Sequence, residues 1–132
     1  MKKLYVLIFL FALVSCIKKK QEEKVLDAMT NGQWKVTSFV KGNTDLTTSF
    51  ASYRFQFKAN NTVEAMNNGT VEKTGTWNED VNAQTISSNF INAATPVVLL
   101  NGTWKITNNS WTWVEANQTV NNELLALRLD KQ

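Results

Sequence analysis

Short extended segments separated by turn residues constrain the fold of this 132-residue chain more than any other feature of its sequence. The clearest of them, residues 52–58, alternates apolar and polar side chains so that Tyr53, Phe55 and Phe57 share one face. Alternation with a period of two is typical of a strand that buries one face. Residues 123–129 behave in the same way and place three of their four leucines on one face. The sequence therefore predicts an all-β domain.

The links between these segments are short and carry residues that favour tight turns. Asn68-Gly69 predicts a type I′ hairpin turn, because both residues tolerate positive φ angles. No segment of the domain predicts more than a single helical turn, at 46–51 or 90–95. We predict eight or nine strands, the first beginning near Gly32 and the others over 52–58, 62–67, 70–77, 84–89, 97–100, 103–107, 110–115 and 123–129.

Short links force neighbouring strands to run antiparallel. Closing the sheet into an up-and-down barrel removes both of its free edges. A two-sheet sandwich is the alternative, but Greek-key sandwiches need long crossing connections, and this chain has few of them. The predicted fold is therefore an antiparallel up-and-down β-barrel of 8–9 strands.

The N-terminus has the organisation of a bacterial secretion signal. Two lysines precede the apolar run Leu4–Val14, which is too short to span a bilayer and suits the core of a signal peptide. The run ends in Leu13-Val14-Ser15-Cys16, which resembles the bacterial lipobox. The resemblance implies cleavage before Cys16, a diacylglycerol on its sulfur and an acyl group on its new amine. An ordinary signal peptide with an incidental Cys16 and an uncleaved anchor helix are the alternatives.

This interpretation divides the chain into a lipoprotein signal peptide over 1–15, a lipidated cysteine with a charged tether over 16–29, and a barrel domain over 30–132. The tether carries a short helical turn at 22–29, and its lysines suit either anionic headgroups or a solvated tether. We expect a protein that is held on the bacterial cell envelope by the lipid on Cys16. The outer membrane is its expected location.

Charge and composition narrow the function. The net charge is +3, but from Thr30 onward eight Lys and Arg balance eight Asp and Glu, so the domain lacks the basic face that nucleic-acid binding needs. The chain has no His, and lipidation would consume its only Cys. The adjacent acids Glu79-Asp80 are too few for a metal site. We therefore expect no catalytic residue, no metal, no cofactor and no enzymatic activity.

Several motifs resemble those of the lipocalin and fatty-acid-binding superfamily. Gly32-Gln33-Trp34 matches the Gly-x-Trp at the head of the first strand, and Arg128 stands in the last predicted strand. The resemblance implies that Trp34 plugs one end of the barrel and that Arg128 packs over its ring as a cation–π pair. The domain also resembles the short lipocalin-like domains of Bacteroidetes-type lipoproteins, through Tyr53–Phe57, Gly75-Thr76-Trp77 and Trp104-Lys105-Ile106. Function in that family is mostly unassigned.

Two functions from different classes fit these observations. An eight-stranded barrel is just wide enough to be filled by side chains or to hold one small ligand. The first function is therefore binding of a small hydrophobic or planar molecule inside the barrel. The second is a structural or interaction lipoprotein of the cell envelope with a filled core. The candidate ligand-binding residues are the aromatic side chains Tyr53, Phe55, Phe57, Trp77, Trp104, Trp111 and Trp113.

Overall fold

The computed structural model describes residues 20–132, so the predicted signal peptide and Cys16 lie outside the described residues. A helix, α1, covers residues 20–30 of that part. Two 3-10 helices, Thr47–Phe50 and Val97–Leu100, interrupt the strands. The strands are β1 (Trp34–Lys41), β2 (Thr44–Asp45), β3 (Tyr53–Phe57), β4 (Thr62–Asn67), β5 (Thr70–Asp80), β6 (Thr85–Asn89), β7 (Gly102–Asn109), β8 (Trp113–Val120) and β9 (Glu123–Lys131).

The strands form a closed antiparallel barrel. From β3 to β9 each strand pairs with the next one along the chain, and β9 pairs with β1 over almost its whole length. The ring closes between β1 and β3, where Trp34 and Phe55 are the only paired residues. The short β2 pairs with the end of β1 and stands outside the ring of eight. The predicted up-and-down barrel is confirmed.

Left-handed backbone conformations build the hairpins. Asn68 and Gly69 have φ angles of 51° and 83°, as the predicted type I′ turn between β4 and β5 requires. The turn between β8 and β9 uses Asn121 and Asn122, with φ angles of 51° and 64°, and the sequence analysis did not identify it. Asparagine tolerates this region better than most residues, because its short side chain forms local hydrogen bonds.

One predicted strand is wrong. Residues 97–100 form a 3-10 helix, in which Val97 and Leu100 are buried. Four consecutive apolar residues cannot be assigned to a strand or a helical turn by periodicity alone. The predicted strand over 110–115 is displaced, because β7 continues to Asn109 and β8 begins only at Trp113. The predicted turn near 46–51 is confirmed as the first 3-10 helix.

Inward-pointing apolar side chains from the eight strands of the ring fill the barrel. Tyr53, Phe55 and Phe57 are buried on one face of β3, as predicted. The leucines at 125, 127 and 129 are buried on one face of β9. The ring of Phe57 meets the indole of Trp77 edge-on, with centroids 5.3 Å apart. No charged or polar residue of the described chain is fully buried in this core.

The two ends of the barrel are closed differently. At the far end, where β1 finishes and β9 begins, the 3-10 helices bury Phe50, Val97 and Leu100. At the opposite end, which we call the helix end, α1 buries Met29 to 2% exposure. The Trp34 indole Nε1 donates to the Met29 carbonyl oxygen at 2.9 Å. Val25, Leu26 and Met29 of the segment predicted as tether therefore contact the core of the barrel, and the predicted boundary at residue 30 stays a prediction.

Candidate functional site

The predicted pair of Trp34 and Arg128 is wrong. Trp34 lies at the helix end with 0% exposure, as a plug should, but the cation beside its ring is the Nζ of Lys131, 5.1 Å from the centroid. The Arg128 guanidinium lies 4.8 Å from the ring centroid of Trp113. Strand phase explains the error: Leu127 and Leu129 point inward, so Arg128 between them points outward. That phase was readable from the sequence, and the lipocalin resemblance loses its support from this pair.

Arg128 instead organises the outer surface of β8, β9 and β1. Its Nη1 donates to Glu115 Oε1 at 2.8 Å, and its Nε donates to Asp130 Oδ2 at 2.9 Å. Asp130 also accepts a hydrogen bond from the Thr37 hydroxyl. The hydrogen bond from Arg128 lowers the pKa of Asp130 and is the main cause of that shift, with Thr37 acting in the same direction. This network joins three strands and is remote from the barrel interior.

The barrel interior is almost full. Of the predicted ligand-binding aromatics, Tyr53, Phe55, Phe57, Trp77 and Trp104 are buried in the core. The remaining void is about 40 Å³ and has an almost entirely apolar lining. Sites for small molecules usually enclose about 300 Å³ or more. These five side chains pack in the core, where Phe55, Phe57 and Trp104 line the small void, and their predicted role in ligand binding stays a prediction.

The tryptophans differ in their environments. Trp77 donates its indole N–H to the Lys58 carbonyl oxygen, and Trp104 donates to that of Leu100, both at 2.9 Å. Trp113 lies on the outer surface beneath Arg128. Trp111 is 57% exposed in the link between β7 and β8, at the helix end. The predicted strand over 110–115 included both Trp111 and Trp113, but residues 110–112 lie outside the strands, where strand alternation does not apply.

A concavity among the described residues lies at the helix end, between α1 and the barrel rim. This cleft has a volume of about 640 Å³. Val25 and Met29 of α1 form one wall. Ile86 of β6, Ile106 of β7 and Val114 of β8 form its apolar base. Trp111, in the link between β7 and β8, lines one side. The size and the mixed lining are those of a small-molecule site.

One carboxylate lines the cleft without a partner. Glu79 follows Gly75 and Trp77 in the inward row of β5. Its Oε2 is shielded from solvent and accepts no hydrogen bond from residues 20–132. The neighbouring Asp80 differs, because its Oδ1 accepts the backbone N–H of Ala83 at 3.1 Å. No ion pair joins Glu79 to a cation among residues 20–132. The predicted strand over 70–77 ended before these two acids, whereas β5 continues to Asp80 and brings Glu79 into its inward row.

Metal-ligand clusters and membrane-spanning helices are both absent from the described residues. Within residues 20–132, no three metal-ligating side chains come close enough together to hold an ion. In the same part of the chain, no helix has the length and apolar character needed to cross a membrane.

Comparison with known proteins supports the fold. No family model matches the chain, and no curated protein matches it. The crystal structure of a DUF4847 family protein from Bacteroides vulgatus is similar, with a TM-score of 0.57 and 16% sequence identity. The similarity covers 82% of this chain and 99% of that one. At this identity the likeness concerns the barrel architecture, and the lipocalin-like assignment stays a prediction.

Proposed function

We propose that the protein is a lipoprotein of the bacterial cell envelope, anchored through Cys16, that binds a small amphipathic molecule in the cleft at the helix end of its barrel. The observation that carries the binding proposal is the cleft itself, with about 640 Å³ between an apolar base and a polar rim. The filled interior moves the expected site from the inside of the barrel to its mouth. The proposed activity is binding without catalysis.

The proposed anchor and the cleft lie close together along the chain. The lipobox motif ends at Cys16, and α1 is already formed at Lys20. Four peptide units extend no further than about 14 Å. Gln21 and Lys24, in the first turns of the described helix, line the cleft. An anchored barrel would therefore hold its cleft near the membrane surface, where amphipathic molecules concentrate.

The anchor is tested by intact-mass spectrometry of the protein from the membrane fraction of a bacterial host. We expect a chain that begins at residue 16 and carries the added mass of a diacylglycerol and an acyl group. The Cys16→Ala variant should not yield that processed form. A chain cleaved elsewhere, or a Cys16→Ala variant processed like the natural chain, would contradict the anchor.

Binding is tested with the mature chain carrying Cys16→Ser, titrated with fatty acids and planar aromatic compounds while tryptophan fluorescence is recorded. Trp111→Phe should reduce the ligand-induced change, because Trp111 lines the cleft, and the change that remains comes from Trp34, which lines it as well. Trp113→Phe is the matched control, since Trp113 lies on the outer surface beneath Arg128. A saturable response that is unchanged in Trp111→Phe would place the ligand elsewhere.

The second candidate function is an interaction lipoprotein with a filled core. The small interior void and the exposed indole of Trp111 favour it. It predicts no saturable response to any compound of the panel. In that case the exposed aromatic surface at the helix end becomes the expected contact with another envelope component.

A further inference from the structure

We infer that the ligand of the cleft carries a protonated amine or a comparable cationic donor, and that Glu79 receives it. This inference rests on the proposed binding function of the cleft and names the chemical class of its ligand.

Strand register places Glu79 inside the mouth of the barrel. Gly75 and Trp77 are the buried residues of β5, and Glu79 is the next residue on that face. Its cross-strand partner on β6 is Ile86, whose side chain lines the same cleft. A carboxylate in this row stands next to apolar surface, where a residue selected only for stability would be apolar.

The bonding state of Glu79 sets it apart from other carboxylates of the barrel. Glu64 pairs with Lys58 at 2.8 Å, and Asp130 accepts hydrogen bonds from Arg128 and Thr37. Glu79 Oε2 is shielded from solvent and has no donor in the part of the chain that the structure describes. A desolvated acceptor without a partner is costly, and a ligand that supplies the missing donor recovers that cost on binding. The site therefore favours ligands that bring a donor.

The rest of the lining agrees with an amphipathic cation. The exposed indole of Trp111 offers a face for a planar group or for the cation itself. Lys24 lines the cleft from α1, but its ammonium forms no ion pair with Glu79. An anionic ligand would meet the uncompensated charge of Glu79, so the carboxylate selects against acids as well as for amines.

The test compares three naphthalene compounds that share one apolar body: 1-naphthylmethylammonium, 1-naphthalenemethanol and 1-naphthoate. Isothermal titration calorimetry of the mature chain measures each dissociation constant. A hydrogen bond to a charged group in a desolvated site is worth a factor of about 10 to 100 in affinity. We expect the ammonium compound to bind about tenfold or more tightly than the alcohol, and the naphthoate to bind most weakly.

Glu79→Gln should abolish the preference for the ammonium compound and leave the affinity for the alcohol within a factor of about three, because the amide keeps the shape of the side chain. Glu123→Gln is the matched control. It removes the same charge at the far end of the barrel, where Glu123 faces Lys41, and should keep the preference.

The outcomes separate the inference from the function on which it rests. Equal affinities for the three compounds, or tightest binding of the naphthoate, would overturn the role of Glu79 and leave the cleft as a binding site. No binding of any compound would overturn the cleft itself. Thermal unfolding of Glu79→Leu gives an independent readout: its midpoint should rise, because an unpaired carboxylate has been replaced by an apolar group. A lower midpoint would show that Glu79 is satisfied in the fold, against the inference.

Discussion

Met29→Ala tests whether α1 is part of the folded domain. The Met29 side chain is 2% exposed and lies at the mouth of the barrel beside the plug formed by Trp34. Replacement by alanine removes three heavy atoms from the core, which at about 0.8 kcal/mol for each methylene-sized group costs about 2.4 kcal/mol. The additional cavity term should be small, because the vacated space opens into the cleft and water can enter it. We expect a loss of about 2–3 kcal/mol in the free energy of unfolding.

Urea unfolding of the mature chain, followed by tryptophan fluorescence, measures this loss. Met66→Ala is the matched control, because Met66 points outward from β4 and is only half-buried. Its truncation should cost less than about 1 kcal/mol. The hydrogen bond from the Trp34 indole to the backbone carbonyl of residue 29 is available in both variants, so the difference reports the Met29 side chain. The slopes of the two unfolding curves should match that of the natural chain.

A free energy of unfolding for Met29→Ala that stays within about 0.5 kcal/mol of the natural chain, or that equals the value for Met66→Ala, would contradict a stabilising role of α1. Residues 20–29 would then be a tether that lies on the barrel without stabilising it. The predicted boundary at residue 30 would stand. The wall that α1 gives to the cleft would be lost as well, so this measurement bears on the proposed function.

Three further predictions concern the barrel itself. Burial, and to a smaller extent the hydrogen bond to Glu72, raises the pKa of Tyr53 above its ordinary value of 10.0. Tyr53 is the only tyrosine of the mature chain, so absorbance titration should show its ionisation at higher pH. Glu72→Gln should lower that pKa only in part, because burial is the main cause. The stability that this shift provides is present below pH 10 and is lost as the pH rises through the folded pKa; an ordinary Tyr53 pKa would contradict it. Gly75→Ala would bring a methyl group within 2.5 Å of the Asn89 carbonyl oxygen, so calorimetry should show a loss of about 1–3 kcal/mol, whereas an unchanged melting temperature would refute the close approach. Hydrogen exchange should be faster at the β1–β3 closure than at the fully paired β8–β9 ladder, and equal protection would argue against a weak seam.

The sequence predicts strands and hairpins correctly where one local property decides them, such as side-chain alternation or a need for positive φ angles. The alternation in residues 52–58 predicted the inward face of β3, because one side of that strand is buried and the other is solvated. Asn68-Gly69 fixed a hairpin, because few residue pairs accept two positive φ angles. These signals are local, so they do not depend on the rest of the fold.

The failures occurred where tertiary contacts decide. Residues 97–100 are apolar throughout, and only their position over the far end of the barrel makes them a 3-10 helix. The charged helix over 20–30 looked like a tether, because three apolar side chains among polar ones give a weak pattern: Val25, Leu26 and Met29. Arg128 was assigned to Trp34 by resemblance, although the leucines on either side of it already indicated that it points outward.

The width of the barrel explains why its aromatic residues misled the search for a site. An eight-stranded barrel accommodates either large side chains or one ligand, and here the aromatic rows leave only about 40 Å³. A ligand-binding site is then expected at one end of the barrel. The far end is covered by two 3-10 helices, whereas the helix end is closed among the described residues by Trp34 and by α1. A helix of this length is marginal in isolation, so α1 depends on the burial of its Met29 side chain against the barrel and on the hydrogen bond from the Trp34 indole. Substitutions on its inner face should therefore change stability and access to the cleft together.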